Sequence, residues 1–206
     1  QKLQTQFWDL GCGTGENLLK AFLTNENLAT EWIGVERMPD RYRMAAHALD
    51  SLLGEANKPG RVGRALSSRL GLGNTPDSTR GLASFLPGVG QKAKCIGNSP
   101  ASRVCVVLGD IMDIRDLSRA SVIFLNIDDP FQMVTHQVLT GGVRENVLPN
   151  TALLVSYPLS DSDRDGWEPQ DENFSVIQDW SGEAQDNAKW LHSLYRRALP
   201  ILQQGA

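Results

Sequence analysis

A chain of 206 residues, 41% of them apolar, with a net charge of −4 can bury one substantial core and fits one domain better than two. No apolar run approaches the ~20 residues needed to cross a bilayer, and residues 1–6 lack the apolar stretch of a signal peptide, so a soluble, non-secreted protein without membrane contact is expected. Cys12, Cys95 and Cys105 are odd in number and contain no Cys-x-x-Cys pair, so ordinary reduced thiols are expected, with neither a disulfide framework nor a metal site.

In chain order, residues 7–10 form a short apolar run stopped by glycines, and residues 17–23 are apolar at helical spacing, which predicts strand, tight turn and helix. A second unit repeats this order, with a strand over 32–35, then Glu36, then an amphipathic helix over about 40–53. Residues 55–100 break the rhythm, being rich in Gly, Pro, Ser and Asn, and are expected to be an insertion or mobile loop. This stretch holds Lys58, Arg61, Arg64, Arg69, Arg80, Lys92 and Lys94 against only Glu55 and Asp77, so its 58–94 portion is a possible nucleic-acid contact. Further strands are predicted over 104–108, 122–125 and 152–156, with a helix over 131–140 between the last two. A closing antiparallel pair is predicted over 174–178 and about 189–196. Strands alternating with helices predict an α/β fold, doubly wound on a mainly parallel, seven-stranded, Rossmann-like sheet.

The glycine run carries the first chemical signal. Gly11, Gly13 and Gly15, directly after a strand, let the backbone turn sharply, and the N–H groups opening the next helix, beginning at Glu16, can face a carboxylate. Glu36 lies at the end of the next strand, where an acidic side chain accepts from both hydroxyls of a ribose. The spacing Gly-x-Gly-x-Gly differs from the dinucleotide fingerprint Gly-x-Gly-x-x-Gly, and Asp9 before it suits an ammonium and would repel a pyrophosphate. After the following strand, Asp110 can accept from an adenine amino group while Ile111 packs on the ring. Three carboxylates at the ends of successive strands point to S-adenosylmethionine (SAM) as cofactor, held by Asp9, Gly11, Gly13, Gly15, Glu16, Glu36, Asp110 and Ile111.

With these residues in place, five ordered blocks resemble one family. They are Asp9-Leu-Gly-Cys-Gly-Thr-Gly15, Gly34-Val-Glu36 with Asp40-Arg-Tyr42, Gly109-Asp110, Ser121-Val-Ile-Phe-Leu-Asn126 and Ser156-Tyr-Pro-Leu159. They look like the motifs of the Dot1-type histone H3 lysine methyltransferases, which are class I and lack a SET domain. Trp180-Ser-Gly182 and Trp190-Leu-His192 are similar to that family's closing segments. The resemblance implies a nuclear, chromatin-regulating enzyme that methylates a lysine of histone H3 on the nucleosome, with Asn126 both at the transferred methyl and on the cofactor. It departs from the family in the run Asn126-Ile-Asp-Asp-Pro-Phe131, in the glycine-rich insertion, and in showing no counterpart of the family's upstream helical lobe, so the chain is expected to be an excerpt. A monomer is expected.

A lysine acceptor must lose its proton, against a pKa of ~10.4, before its nitrogen can attack, and an apolar channel favours the neutral amine. Phe131, Trp180 and Trp190 are candidates for its aromatic walls, although simple core packing is the plainer reading of each; with Asn126, Phe131 and Trp180 are the candidate catalytic residues. Asp128 and Asp129 read as a helix cap before Pro130. His47, His136 and His192 are scattered without ligand spacing. Two rival readings stay open. Asp128-Asp-Pro-Phe131 also resembles, imperfectly, the Asp/Asn-Pro-Pro-Tyr/Phe turn of enzymes that methylate an amino group of adenine or glutamine, and a SAM-binding scaffold without catalysis would keep the same cofactor residues.

Overall fold

Apolar runs buried on both faces make parallel strands, and here they set the order of the whole sheet. The computed structural model describes residues 5–25, 28–72, 92–98, 102–114, 116–125, 133–138, 147–148, 151–155, 159, 167–169 and 193–197. Its elements are β1 (Gln6–Leu10), α1 (Glu16–Thr24), β2 (Glu31–Glu36), α2 (Pro39–Ala56), α3 (Arg61–Leu70), β3 (Lys92–Asn98), β4 (Ser102–Leu108), a 3-10 turn (Ile111–Asp113), β5 (Ala120–Leu125), α4 (Met133–Val138), β6 (Ala152–Val155), β7 (Trp167–Pro169) and β8 (Ser193–Arg197). The strands form one sheet in the order β3-β4-β2-β1-β5-β6-β8-β7. β4, β2, β1, β5 and β6 run parallel, while β3 and β8 are antiparallel to their neighbours. The chain order reverses direction between β1 and β5, the switch point outside whose carboxyl ends open α/β sheets bind ligands.

The pleat divides the core into two layers. Phe7, Trp32 and Phe124 face the layer covered by α1, α2 and α3, where Leu18, Phe22 and Leu49 are fully buried. Trp8, Leu10, Ile33 and Ile123 face the opposite layer with Ile114 and Leu117.

Three expectations are corrected. The stretch expected as an insertion or mobile loop contains α3 and β3, so the sheet has eight strands among the described residues and not seven. α3 is held by buried Leu70 and by Arg69, whose guanidinium donates to Phe22 O and to Leu23 O (3.2 Å) and lies 4.1 Å over the Phe22 ring. Cys95 and Cys105, directly opposite across β3 and β4, are joined by a disulfide, so they are not the reduced thiols expected; Cys12 is the free cysteine. The closing antiparallel pair is β7 with β8, Trp167–Pro169 against Ser193–Arg197, and residues 174–178 lie outside the described residues.

The amino end of the sheet holds a buried polar network. Glu31, 3% exposed, accepts from Arg103 (2.5 Å) and Gln6 (2.8 Å) and lies 3.4 Å from Arg119, while Trp8 Nε1 donates to Gln6 Oε1 (3.0 Å). Removing one partner of such a pair strands a buried charge. Arg103→Ala is therefore expected to lower the unfolding free energy by about 3–5 kcal/mol in urea titration; a loss under ~1 kcal/mol would contradict the burial. Unfolded without reductant, the chain is expected to expose a single reactive thiol, Cys12, to a thiol-specific reagent, and three reactive thiols would contradict the Cys95–Cys105 link.

Candidate functional site

At the carboxyl end of β1 the backbone must reverse into α1, and all three glycines of the turn adopt left-handed φ values, 82° at Gly11, 57° at Gly13 and 79° at Gly15. A side chain is disfavoured there. Gly11 and Cys12 N–H both donate to Val35 O (2.9 and 3.0 Å), which lashes the turn to β2. Gly34, in mid-strand, makes room for this: a Cβ on it would lie 2.8 Å from Cys12 Sγ and 2.9 Å from Leu18 Cδ2. Gly15 packs close to Ala45 of α2 in the same way, with an added Cβ at 3.1 Å.

Two carboxylates meet at this turn. Glu36, 5% exposed, accepts from Gly13 N–H through Oε2 (2.9 Å) and from Met38 N–H through Oε1 (2.6 Å). It thus ties the glycine turn to the β2–α2 connection, a role the spacing did not announce. Each oxygen keeps a second lone pair for a ligand hydroxyl.

Asp9, 1% exposed, sits on the strand neighbouring β2, with Gly34 as its register partner. It accepts from Leu18 N–H in the first turn of α1, yet its Oδ2 is buried with no hydrogen-bond donor. Burial, and after it the Glu36 carboxylate, raises its pKa from 3.8 to about 7. Burial likewise raises the Cys12 thiol, with Asp9 and Glu36 adding to the shift, so this thiol is kept neutral and inert. An unpartnered buried carboxylate oxygen asks for a cation, and the ammonium expected of a methionyl tail fits that demand.

The third carboxylate is placed as expected but is partly engaged. Gly109 N–H donates to Glu36 O (3.0 Å), bringing the end of β4 beside that of β2. Asp110 Oδ1 caps the 3-10 turn by accepting from Met112 N–H (2.9 Å), while Oδ2 lies 3.8 Å from the Arg37 guanidinium. Ile111 is half-buried beside it. Glu16, expected among the cofactor contacts, is two-thirds exposed and pairs with Lys20 (2.5 Å). Asn126, Phe131 and Trp180, together with Asp128, Asp129, Pro130 and Trp190, lie outside the described residues. Among the described residues no cluster of His, Cys, Asp or Glu could hold a metal, and no helix is long and apolar enough to cross a membrane. Reading the sequence missed Arg37 and Met38, and it quoted Gly34 in a motif block without its packing role; a glycine inside a strand signals close approach of another backbone or side chain and was the available clue.

The sign of the Asp9 shift sets a pH dependence. The folded chain holds this proton up to about pH 7, whereas the unfolded chain releases it near 3.8, so the folded state binds more protons in between and loses stability as pH rises through that window. The full cost, about 4 kcal/mol, applies above pH 7. Asp9→Asn is expected to flatten the fall in urea stability between pH 5 and 8 and to stabilise the chain at pH 8; an equal slope in both proteins would contradict the burial of an unpartnered carboxylate.

No family model matches the chain, and no curated protein matches its sequence. Solved structures do resemble it. HI0767 of Haemophilus influenzae, a methylase candidate, superposes with a TM-score of 0.51 at 13% identity, over 96% of this chain and 81% of that one. yhhF of Escherichia coli, a methyltransferase candidate, gives 0.52 at 10% identity, over 96% and 79%. These likenesses show the fold: a mostly parallel, Rossmann-like sheet shared with both proteins.

Proposed function

We propose that the chain is a SAM-dependent methyltransferase acting on an amino nitrogen, and that an exocyclic amino group of a nucleic acid is favoured over a histone H3 lysine. The observation that carries the cofactor assignment is the buried, unpartnered Asp9 Oδ2 at the glycine turn, one strand from Glu36. Asp9 would hold the ammonium, Glu36 the ribose hydroxyls, and Asp110 with Ile111 the adenine. Bound there, the cofactor supplies a methyl group on a positively charged sulfur, ready for in-line displacement.

The remaining work falls to this chain's residues, and it is positioning and exclusion of water. Asn126, the residue that follows β5 in the sequence, is proposed to accept from the acceptor amine, with Phe131 and Trp180 proposed to screen that amine from solvent. An aromatic amino group is already neutral, so no ammonium has to be discharged. A lysine would need its proton removed first.

Two observations favour the nucleic-acid acceptor. Asp128-Asp-Pro-Phe131 approaches the turn of amino-group methyltransferases, and Arg41 of α2 and Arg61 and Arg64 of α3 are exposed and meet no carboxylate among the described residues. The histone H3 reading, and with it nuclear localisation and a nucleosome partner, rests on the motif blocks alone.

Incubation with methyl-labelled SAM and, in parallel, RNA, DNA, nucleosomes and free histones tests the acceptor. Label in nucleic acid is the expected result, and label confined to histone H3 would overturn the acceptor assignment while leaving methyl transfer standing. SAM binding with no transfer to any of them would identify a scaffold. Glu36→Ala is expected to weaken SAM binding by about 100-fold or more in calorimetry, since hydrogen bonds to a charged group contribute roughly 1.5–3 kcal/mol each; unchanged affinity would remove Glu36 from the site.

A further inference from the structure

The helical layer has a charge pattern that the cofactor site does not use. Its carboxylates are already matched to cations. Glu16 pairs with Lys20 (2.5 Å), and Asp40 with Arg43 on the next turn. Asp50 is met by Lys94 of β3, and Glu55 by Lys58 (both 2.5 Å). Glu31 and Glu36 are buried, the first against Arg103 and the second at the glycine turn. What remains is positive: Arg41 near the start of α2, and Arg61 and Arg64 on α3, all exposed. From residue 57 to residue 72 there is no acidic residue at all. On a chain whose net charge is −4, this leaves positive charge at the start of α2 and on α3 that no carboxylate opposes among the described residues.

α3 is held firmly enough to present its charge. Arg69 and Leu70 fasten α3 to α1 and to the sheet, and Gly63 presses against Lys58 O so closely that a Cβ would lie 2.0 Å from it. α2 spans 18 residues, about 27 Å at helical rise, so the three guanidinium groups mark its two ends. A separation of that size matches several successive phosphates of a polynucleotide and exceeds any small anion.

We infer that the start of α2 and the exposed side of α3 contact the phosphate backbone of a nucleic acid, with Arg41, Arg61 and Arg64 as the point contacts. Bidentate guanidinium–phosphate pairing supplies the affinity, without base readout. This deepens the nucleic-acid reading of the acceptor, but it stands on the charge distribution and does not require methyl transfer.

The test measures fluorescence anisotropy of labelled single-stranded RNA and duplex DNA over a salt series, using the whole chain and its Arg41→Gln/Arg61→Gln/Arg64→Gln variant. A thermal melt confirms that the variant folds, and calorimetry follows SAM binding in both proteins. The wild type is expected to bind with salt-dependent affinity. The variant is expected to lose about two from the slope of log affinity against log salt and about tenfold in affinity at low salt, with SAM binding unchanged. Equal slopes, or a wild type that binds neither oligonucleotide, would overturn the inference. Absence of SAM binding in the wild type would count against the methyltransferase reading alone.

Discussion

The Glu36 carboxylate, accepting from Gly13 N–H and Met38 N–H, is the contact on which the rest of the site depends. It joins the two connections that leave β1 and β2, so the glycine turn has one geometry and the first turn of α1 one direction. That geometry puts Asp9 under the turn, beside a second negative charge and out of water. Glu36 is satisfied within the protein and Asp9 Oδ2 is not. The asymmetry separates their chemistry: one carboxylate builds the turn, and the other keeps a buried oxygen that a cation would satisfy.

The opposite end of the sheet shows the complementary solution. Glu31 is as deeply buried as Asp9, but Arg103, Arg119 and Gln6 surround it. A buried charge with all its partners contributes to a defined fold, whereas one left without a partner costs stability and is retained where a ligand completes it. The two ends of one set of parallel strands thus differ: one holds a satisfied polar network, the other a buried carboxylate oxygen without a donor.

Much of this was readable from residue order. Asp9, Glu36 and Asp110 follow apolar runs that could only be buried strands, and the glycine spacing set the turn apart from the dinucleotide fingerprint. The strands were read short at their amino ends, because Gln6, Glu31 and Arg103 are polar and look like loop residues until their mutual hydrogen bonds are seen. α3 and β3 were hidden for a related reason. Arg69 turns inward to cap α1 and stack on Phe22, and the two lysines of β3 belong to an edge strand, so neither segment shows an apolar period. The Cys95–Cys105 pair depends on antiparallel register, which a separation of 10 residues does not reveal. The double engagement of Glu36 by backbone N–H groups was equally invisible, since it depends on where two turns meet in space.

If the buried Asp9 carboxyl is the seat of the cofactor's ammonium, binding must drive off the proton that Asp9 holds up to about pH 7. Calorimetry of SAM binding at pH 6.5, in two buffers of different ionisation heat, counts that proton directly, because the ligand's own amino group, with a pKa of ~7.7–8.0, is already charged there. The account predicts release of most of one proton per SAM bound in the wild type and none in Asp9→Asn. Binding heats that do not depend on the buffer, or no binding at all, would contradict it.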